Sequence, residues 1–138
     1  MNKDHLKILM QGAEAWNKWR KENPNVKPDL RLAKLVNIDL KNTNLSKSDL
    51  GGVDFTKSIL YEDDFSGSYM AACNLTEVNM TLSNLRGATL WGANLHQANV
   101  SDVQWDQKTK FKGIEVLSCY SNEIFKREAQ NRCYLEEI

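Results

Sequence analysis

The feature that most constrains this chain is a five-residue repeat of large apolar side chains through its middle. All sixteen positions from 30 to 105, taken in steps of five, carry such a residue. A helix repeats its apolar positions about every 3.6 residues and a strand about every 2, so neither element explains this period. The sixteen residues are Leu30, Leu35, Leu40, Leu45, Leu50, Phe55, Leu60, Phe65, Met70, Leu75, Met80, Leu85, Leu90, Leu95, Val100 and Trp105.

The other positions of each repeat indicate where the backbone turns. The residue two before the large one is small in most repeats, and residues two apart point to the same side of an extended segment. Asp or Asn directly precedes the large residue in eleven of the sixteen repeats, and polar residues or Gly follow it, which favours turns. The pattern predicts an all-β solenoid with the large side chains on its axis and backbone hydrogen bonds between stacked coils.

Three runs, 83–87, 88–92 and 93–97, resemble the A-(D/N)-L-x-x motif of the pentapeptide-repeat family. The resemblance covers residues 28–107 and implies a right-handed quadrilateral β-helix with four pentapeptides per coil, hence about four coils. Small residues recur every twenty positions at Gly52, Ala72 and Gly92, which agrees with four sides.

Residues 1–27 are predicted to form an N-terminal helical cap, because an open β-helix end exposes unpaired edges and core. The apolar residues of 4–21 have helical spacing, and Asp4 is the expected N-cap. We expect Trp16 and Trp19 to close the first coil.

Residues 108–138 interrupt the period, since Lys110 stands where an apolar residue is due. An irregular strand is predicted there, followed by a helix with Ser121 as its N-cap. Ile124 and Phe125 give this helix an apolar side, which either caps the last coil or forms a homodimer.

Asp63 departs from the repeat because it occupies a small inward position. Its neighbours twenty residues away are Thr43 and Ser83. Two interpretations stay open: a buried Asp satisfied by these hydroxyls and by turn amides, or a local bulge that carries the acidic residues outward.

The residue types give no catalytic arrangement. His5 lies in the N-terminal cap, His96 points outward and Cys73 points inward, so no nucleophile is paired with a base. We therefore expect no enzyme activity, no metal and no cofactor. Three widely spaced cysteines indicate reduced thiols and a cytoplasmic protein. No apolar run is long enough to span a membrane.

Function must then lie on the outer sides. One side is smooth, with Gly51 and Ala71, and it carries Tyr69 and Trp91, residues favoured in protein interfaces. The sequence thus favours a non-catalytic scaffold that contacts a protein partner and binds no nucleic acid.

The resemblance also implies an alternative, since some pentapeptide-repeat proteins mimic DNA and modulate gyrase, a type II topoisomerase. Mimicry requires a strongly negative surface. Residues 28–107 hold ten acidic and six basic residues, a net charge of only −4, and the whole chain has eighteen of each.

Overall fold

The computed structural model describes residues 1–116 and 118–133. Two helices, α1 (Lys3–Leu9) and α2 (Ala13–Glu22), precede a β-helix, and α3 (Glu123–Arg132) follows it. Among the described residues the β-helix is held by fifteen parallel bridges of one residue each, from Asp29 paired with Asp49 to Asn99 paired with Tyr120. The β structure therefore consists of isolated bridges between coils, separated along the chain by turns.

Bridge partners along most of the solenoid lie twenty residues apart, so four five-residue repeats complete one coil and the solenoid has four sides. We name each side by its bridge residue in the third coil. The bridge columns are Asp29, Asp49, Tyr69, Thr89 and Lys110 on the Tyr69 side; Lys34, Asp54, Asn74, Asn94 and Glu115 on the Asn74 side; Asp39, Ile59, Asn79, Asn99 and Tyr120 on the Asn79 side; and Asn44, Asp64, Asn84 and Gln104 on the Asn84 side.

Each corner is a turn that places one residue in the left-handed region. The second residue after each large one from Leu30 to Val100 has a positive φ, from Leu32 at 62° to Asp102 at 56°. Most turns also have a backbone hydrogen bond from residue i+3 to residue i, such as Ala33 N–H to the Leu30 carbonyl at 3.0 Å. Positive φ at this place is typical of a type II turn and favours Gly. Gly nevertheless occupies few of these corners, namely Gly52, Gly67, Gly87 and Gly92.

The axial side chains form a continuous dry core. Fifteen of the sixteen large residues are no more than 3% exposed. Trp105 differs, because it is only partly buried. Its ring centroid lies 6.3 Å from those of Phe111 and Phe125, at the junction between the last coil and α3.

The chain after residue 107 continues the solenoid, so the prediction of an irregular strand there is wrong. The spacing of bridge partners changes from 20 to 21, with Thr89 paired with Lys110. Phe111 and Val116 then fill the axis. The Asp106 carboxylate closes the enlarged turn by accepting from the backbone N–H of Thr109 at 3.0 Å. One inserted residue therefore shifts the register. A strict five-residue spacing does not predict the fifth, partial coil that follows it.

The N-terminal segment contains two helices rather than the single one expected over 4–21. Gly12, with φ at 105°, separates them. Asn2 is the N-cap of α1 instead of Asp4, because its side chain accepts from two backbone N–H groups of the first turn. The imidazole Nδ1 of His5 accepts from the backbone N–H of Asp29 at 3.0 Å and so covers the edge of the first coil.

Helix α2 lies against the first coil at its Asn84 side. Trp16 is fully buried and its indole N–H donates to the Asn44 carbonyl. Arg20 donates to the carbonyls of Asn44 and Ser46, both at 2.9 Å. Trp19 is partly buried, with its ring centroid 5.0 Å from that of Trp16.

Helix α3 covers the other end. Its N-cap is Asn122 rather than Ser121, since the Asn122 side chain accepts from the Phe125 N–H at 2.8 Å. Phe125 is 1% exposed, whereas Ile124 is 62% exposed, so Ile124 takes no part in covering the coil. Arg132 donates to the carbonyls of Asp106 and Gln107. Within the predicted C-terminal segment 108–138, residue 117 and residues 134–138 lie outside the described residues.

Candidate protein-contact face

Small residues on the Tyr69 side leave an open groove between larger neighbours. Gly51, Gly52, Ala71 and Ala72 form its floor, while Tyr69 stands beside them and is 41% exposed. The groove has a volume of about 690 Å³. We call Gly51, Gly52, Tyr69, Ala71, Ala72 and Trp91 together the Tyr69 face.

The two aromatic residues predicted for this face contact each other. The rings of Tyr69 and Trp91 meet edge to face, with centroids 6.4 Å apart and an interplanar angle of 87°. The Tyr69 ring lies so near Gly51 that a Cβ there would stand 3.3 Å from Cε1. The ammonium of Lys110 lies 5.6 Å from the centroid of Trp91. The ring positions are therefore fixed by packing and by a cation–π contact.

Charged groups at the N-terminal rim of the groove neutralise one another. The Arg31 guanidinium lies 2.8 Å from one Asp29 carboxylate oxygen and 3.7 Å from an Asp49 oxygen. The hydrogen bond from the Arg31 side chain is the main cause of the strongly lowered pKa of Asp29. The amino terminus of Met1 lies 3.4 Å from the same carboxylate. The rim thus presents paired charges, and Lys110 adds a positive charge further along the side.

Sequence reasoning missed two members of this surface. Leu32 is 75% exposed and overhangs Gly52, and Lys110 stands beneath Trp91. Leu32 and Gly52 are twenty residues apart and therefore lie in the same column. The repeat alone could have predicted their contact. Lys110 follows the inserted residue, so a strict five-residue period does not predict its position beside Trp91.

The interior holds no reactive arrangement among the described residues. Burial raises the pKa of Cys73 to about 12, and its thiol donates to the Leu50 carbonyl at 3.0 Å. His96 is exposed on the Asn74 side, where its Nδ1 lies 2.8 Å from the Ser118 hydroxyl. Residues 1–116 and 118–133 contain no group of three or more His, Cys, Asp or Glu side chains able to hold a metal ion.

The sequence profile of the family described as pentapeptide repeats matches the chain in eight copies, over residues 29–60 and 64–102. The chain belongs to the pentapeptide-repeat family, which confirms the resemblance seen in its motifs. No curated protein matches the chain. Within the described part of the chain, no helix is long and apolar enough to cross a membrane.

One solved structure shows the same fold, and two others are weaker matches. A pentapeptide repeat protein from the thylakoid lumen of Arabidopsis thaliana matches with a TM-score of 0.67 at 19% identity, over 71% of this chain and 68% of its own. HetL, a pentapeptide repeat protein involved in heterocyst differentiation regulation in the cyanobacterium Nostoc, matches with a TM-score of 0.38 at 21% identity, over 70% and 44%. QnrB1, a plasmid-mediated fluoroquinolone resistance protein, matches with a TM-score of 0.28 at 19% identity, over 67% and 52%. The first of these neighbours and the family assignment imply a right-handed quadrilateral β-helix.

Proposed function

We propose that this protein is a non-catalytic cytoplasmic scaffold that binds a protein partner through its Tyr69 face. The observation that carries the proposal is a groove lined by Gly and Ala residues and by Tyr69, whose ring packs edge to face against Trp91. Such a surface lets a partner approach the backbone closely while two rigid aromatic side chains supply contact area at low entropic cost. The three free, buried cysteines fit a reducing compartment.

Rigidity supports the same role. The floor residues are held by backbone hydrogen bonds between coils, such as Gly52 N–H to the Ala71 carbonyl at 2.9 Å. A surface that is already ordered loses little conformational entropy when a partner binds. The face therefore suits recognition better than chemistry, because its groups include no nucleophile with an adjacent base.

Quantitative affinity capture of the full chain tests the proposal. We expect the doubly substituted variant Tyr69→Ala, Trp91→Ala to lose at least tenfold in affinity for a partner captured by the wild type. Tyr61→Ala, on the Asn79 side, is the matched control and should retain binding. Equal loss in the control, or full retention by the double variant, would overturn the assignment of the face.

Exposed apolar residues near α3 favour a second contact, the homodimer. Ile124 and Tyr120 are 62% and 64% exposed. We expect light scattering to show a dimer whose association weakens in Ile124→Glu. A monomer at all concentrations used would reject this contact and leave the Tyr69 face untouched.

The surface charges oppose DNA mimicry. Asp29 and Asp49 are paired with Arg31, and the Lys41 ammonium lies 3.2 Å from Asp39. Two sides therefore lack the uninterrupted negative column that imitates a phosphate backbone. A gyrase supercoiling assay at micromolar protein should show no inhibition and no protection.

A further inference from the structure

Two inward serines, Ser58 and Ser83, make the same pair of hydrogen bonds to the preceding coil. The Ser58 hydroxyl accepts from the backbone N–H of Ile38 at 3.1 Å and donates to the Leu35 carbonyl at 2.5 Å. Ser83 does the same for the Asp63 N–H at 3.1 Å and the Leu60 carbonyl at 2.5 Å. Each hydroxyl thus accepts and donates at once, and it joins its own coil to a turn of the preceding coil.

Asp63 stands in the same relation to the first coil, but with a carboxyl group. It is 1% exposed, and its Oδ1 accepts from the Thr43 N–H at 2.8 Å. Its Oδ2 has no hydrogen-bond partner. The Thr43 hydroxyl does not serve this oxygen, because it donates to the Leu40 carbonyl. An ionised Asp63 would therefore leave a buried negative charge with one oxygen unpaired, a cost that the neutral acid avoids.

The turn that Asp63 holds is also the seat of α2. Asn17 of α2 accepts from the Asn44 N–H and donates to the Asn42 carbonyl, both at 2.8 Å, on either side of Thr43. Between Asp63 and the N-terminal end of the solenoid there is one coil and this helix. On the opposite side, further coils are stacked beneath Ser83. The N-terminal end of the solenoid is therefore the end nearer to Asp63.

We propose that Asp63 is a pH-sensitive latch, which in its neutral form holds the Thr43 turn beneath α2 and on ionisation releases α2 together with the first coil. The charged group of the first coil that acts on Asp63 is Asp39, whose negative charge disfavours the ionisation of Asp63. Glu62 and Asp64, the acidic residues that flank Asp63, are solvent-accessible. Helix α2 contributes Arg20, whose positive charge interacts with Asp64. No described cation thus compensates an ionised Asp63.

Burial is the largest cause that raises the pKa of Asp63 to about 8, and the Thr43 N–H opposes it in part. An Asp in an opened, hydrated end has a pKa of about 4. The opening equilibrium of the N-terminal end should then increase up to tenfold per pH unit between about pH 4 and the folded-state pKa, and level off above it.

Hydrogen exchange of the full chain across pH 5 to 9, corrected for intrinsic exchange rates, tests the latch. In the wild type we expect the protection of residues 1–22 and 36–47 to fall about tenfold per pH unit up to about pH 8. Residues 68–100 should keep their protection. Asp63→Ser, which recreates the Ser83 arrangement, should remove the pH dependence, and the neighbouring Asp64→Asn should retain it.

The same measurement can overturn the proposal. A pH-independent wild type, or the same pH dependence in Asp63→Ser, would show that Asp63 is not the latch. Loss of protection in 68–100 in parallel with 1–22 would show global unfolding instead of a local release. The carboxyl ¹³C shift of Asp63, followed over the same pH range, gives an independent readout, and titration at ordinary Asp values would equally reject the latch.

Discussion

The indole nitrogen of Trp16 lies 2.7 Å from the carbonyl oxygen of Asn44, which also accepts from Arg20 at 2.9 Å. The carbonyl belongs to the first coil, which has no preceding coil to pair with. Two side chains of one helix thus replace the backbone N–H groups that a further coil would have supplied. This is how a solenoid edge is closed without another strand.

Replacing Trp16 should therefore destabilise the fold more than replacing Trp91, whose indole N–H is buried without a partner. We expect Trp16→Phe to lower the free energy of unfolding by about 1–2 kcal/mol, from the lost hydrogen bond and the smaller ring. Trp91→Phe is the matched control and should change it by less than about 0.5 kcal/mol. Urea denaturation of both variants measures the difference. Equal effects would show that the bond to Asn44 adds no stability.

The repeat predicts the parts of this structure that depend on spacing, and it misses those that depend on single insertions. The apolar period from Leu30 to Val100 is the same period that the buried axis follows. One extra residue near Asp106 concealed the coil that contains Phe111, because a strict count of five cannot accommodate a bulge.

The ends were less predictable for a different reason. Asn2 and Asn122 are N-caps beside other good candidates, Asp4 and Ser121, and only the tertiary path selects between them. The contact between Tyr69 and Trp91 depends on the rotamers of two side chains in consecutive coils. The spacing of residues in the sequence does not determine these rotamers.

Stability should decrease as pH rises because of Asp63. Its pKa in the folded protein, about 8, exceeds the unfolded value of about 4, so the folded state holds the proton more strongly between these limits. The contribution is complete below about pH 4 and is lost progressively up to the folded-state pKa. We expect Asp63→Ser to exceed the wild type in stability at pH 8 by a few kcal/mol more than at pH 4.

Urea titrations at several pH values measure this difference. Asp64→Asn, next in the chain and on the outside, is the control and should follow the wild type. A constant difference between wild type and Asp63→Ser at every pH would contradict the prediction.

A methyl group at two corner glycines should have unequal costs. Gly52 and Gly92 share a positive φ, of 68° and 64°, but a Cβ at Gly52 would lie 2.6 Å from Leu32 Cδ2 while nothing stands within 4 Å at Gly92. We expect Gly92→Ala to cost about 1 kcal/mol from the backbone alone, and Gly52→Ala to cost more. In a double-mutant cycle, Leu32→Ala should bring the cost of Gly52→Ala down to that of Gly92→Ala. If Gly52→Ala costs the same with and without the Leu32 side chain, Leu32 moves aside freely and adds nothing to that cost.

Asp106 should stabilise the enlarged turn that admits the inserted residue. Although its desolvation opposes ionisation, hydrogen bonds from the backbone N–H groups of Gly87, Lys108 and Thr109 hold the pKa of Asp106 below its ordinary value. A lowered folded-state pKa means that the contribution is present above the ordinary Asp pKa and is lost as pH falls. We expect Asp106→Ala to lower the thermal midpoint at pH 7 and to approach the wild type at acidic pH.

The neighbouring Gln107→Ala serves as the control, because Gln107 is exposed and contributes its backbone carbonyl to Arg132. Its midpoint should equal that of the wild type at every pH. Asp106→Asn, which keeps an oxygen acceptor without the charge, should lie between the wild type and Asp106→Ala at pH 7. If Asp106→Ala unfolds at the wild-type temperature, the carboxylate does not hold the turn, and the change of register must be stabilised by the packing of Phe111 against Phe125, whose ring centroids lie 5.8 Å apart.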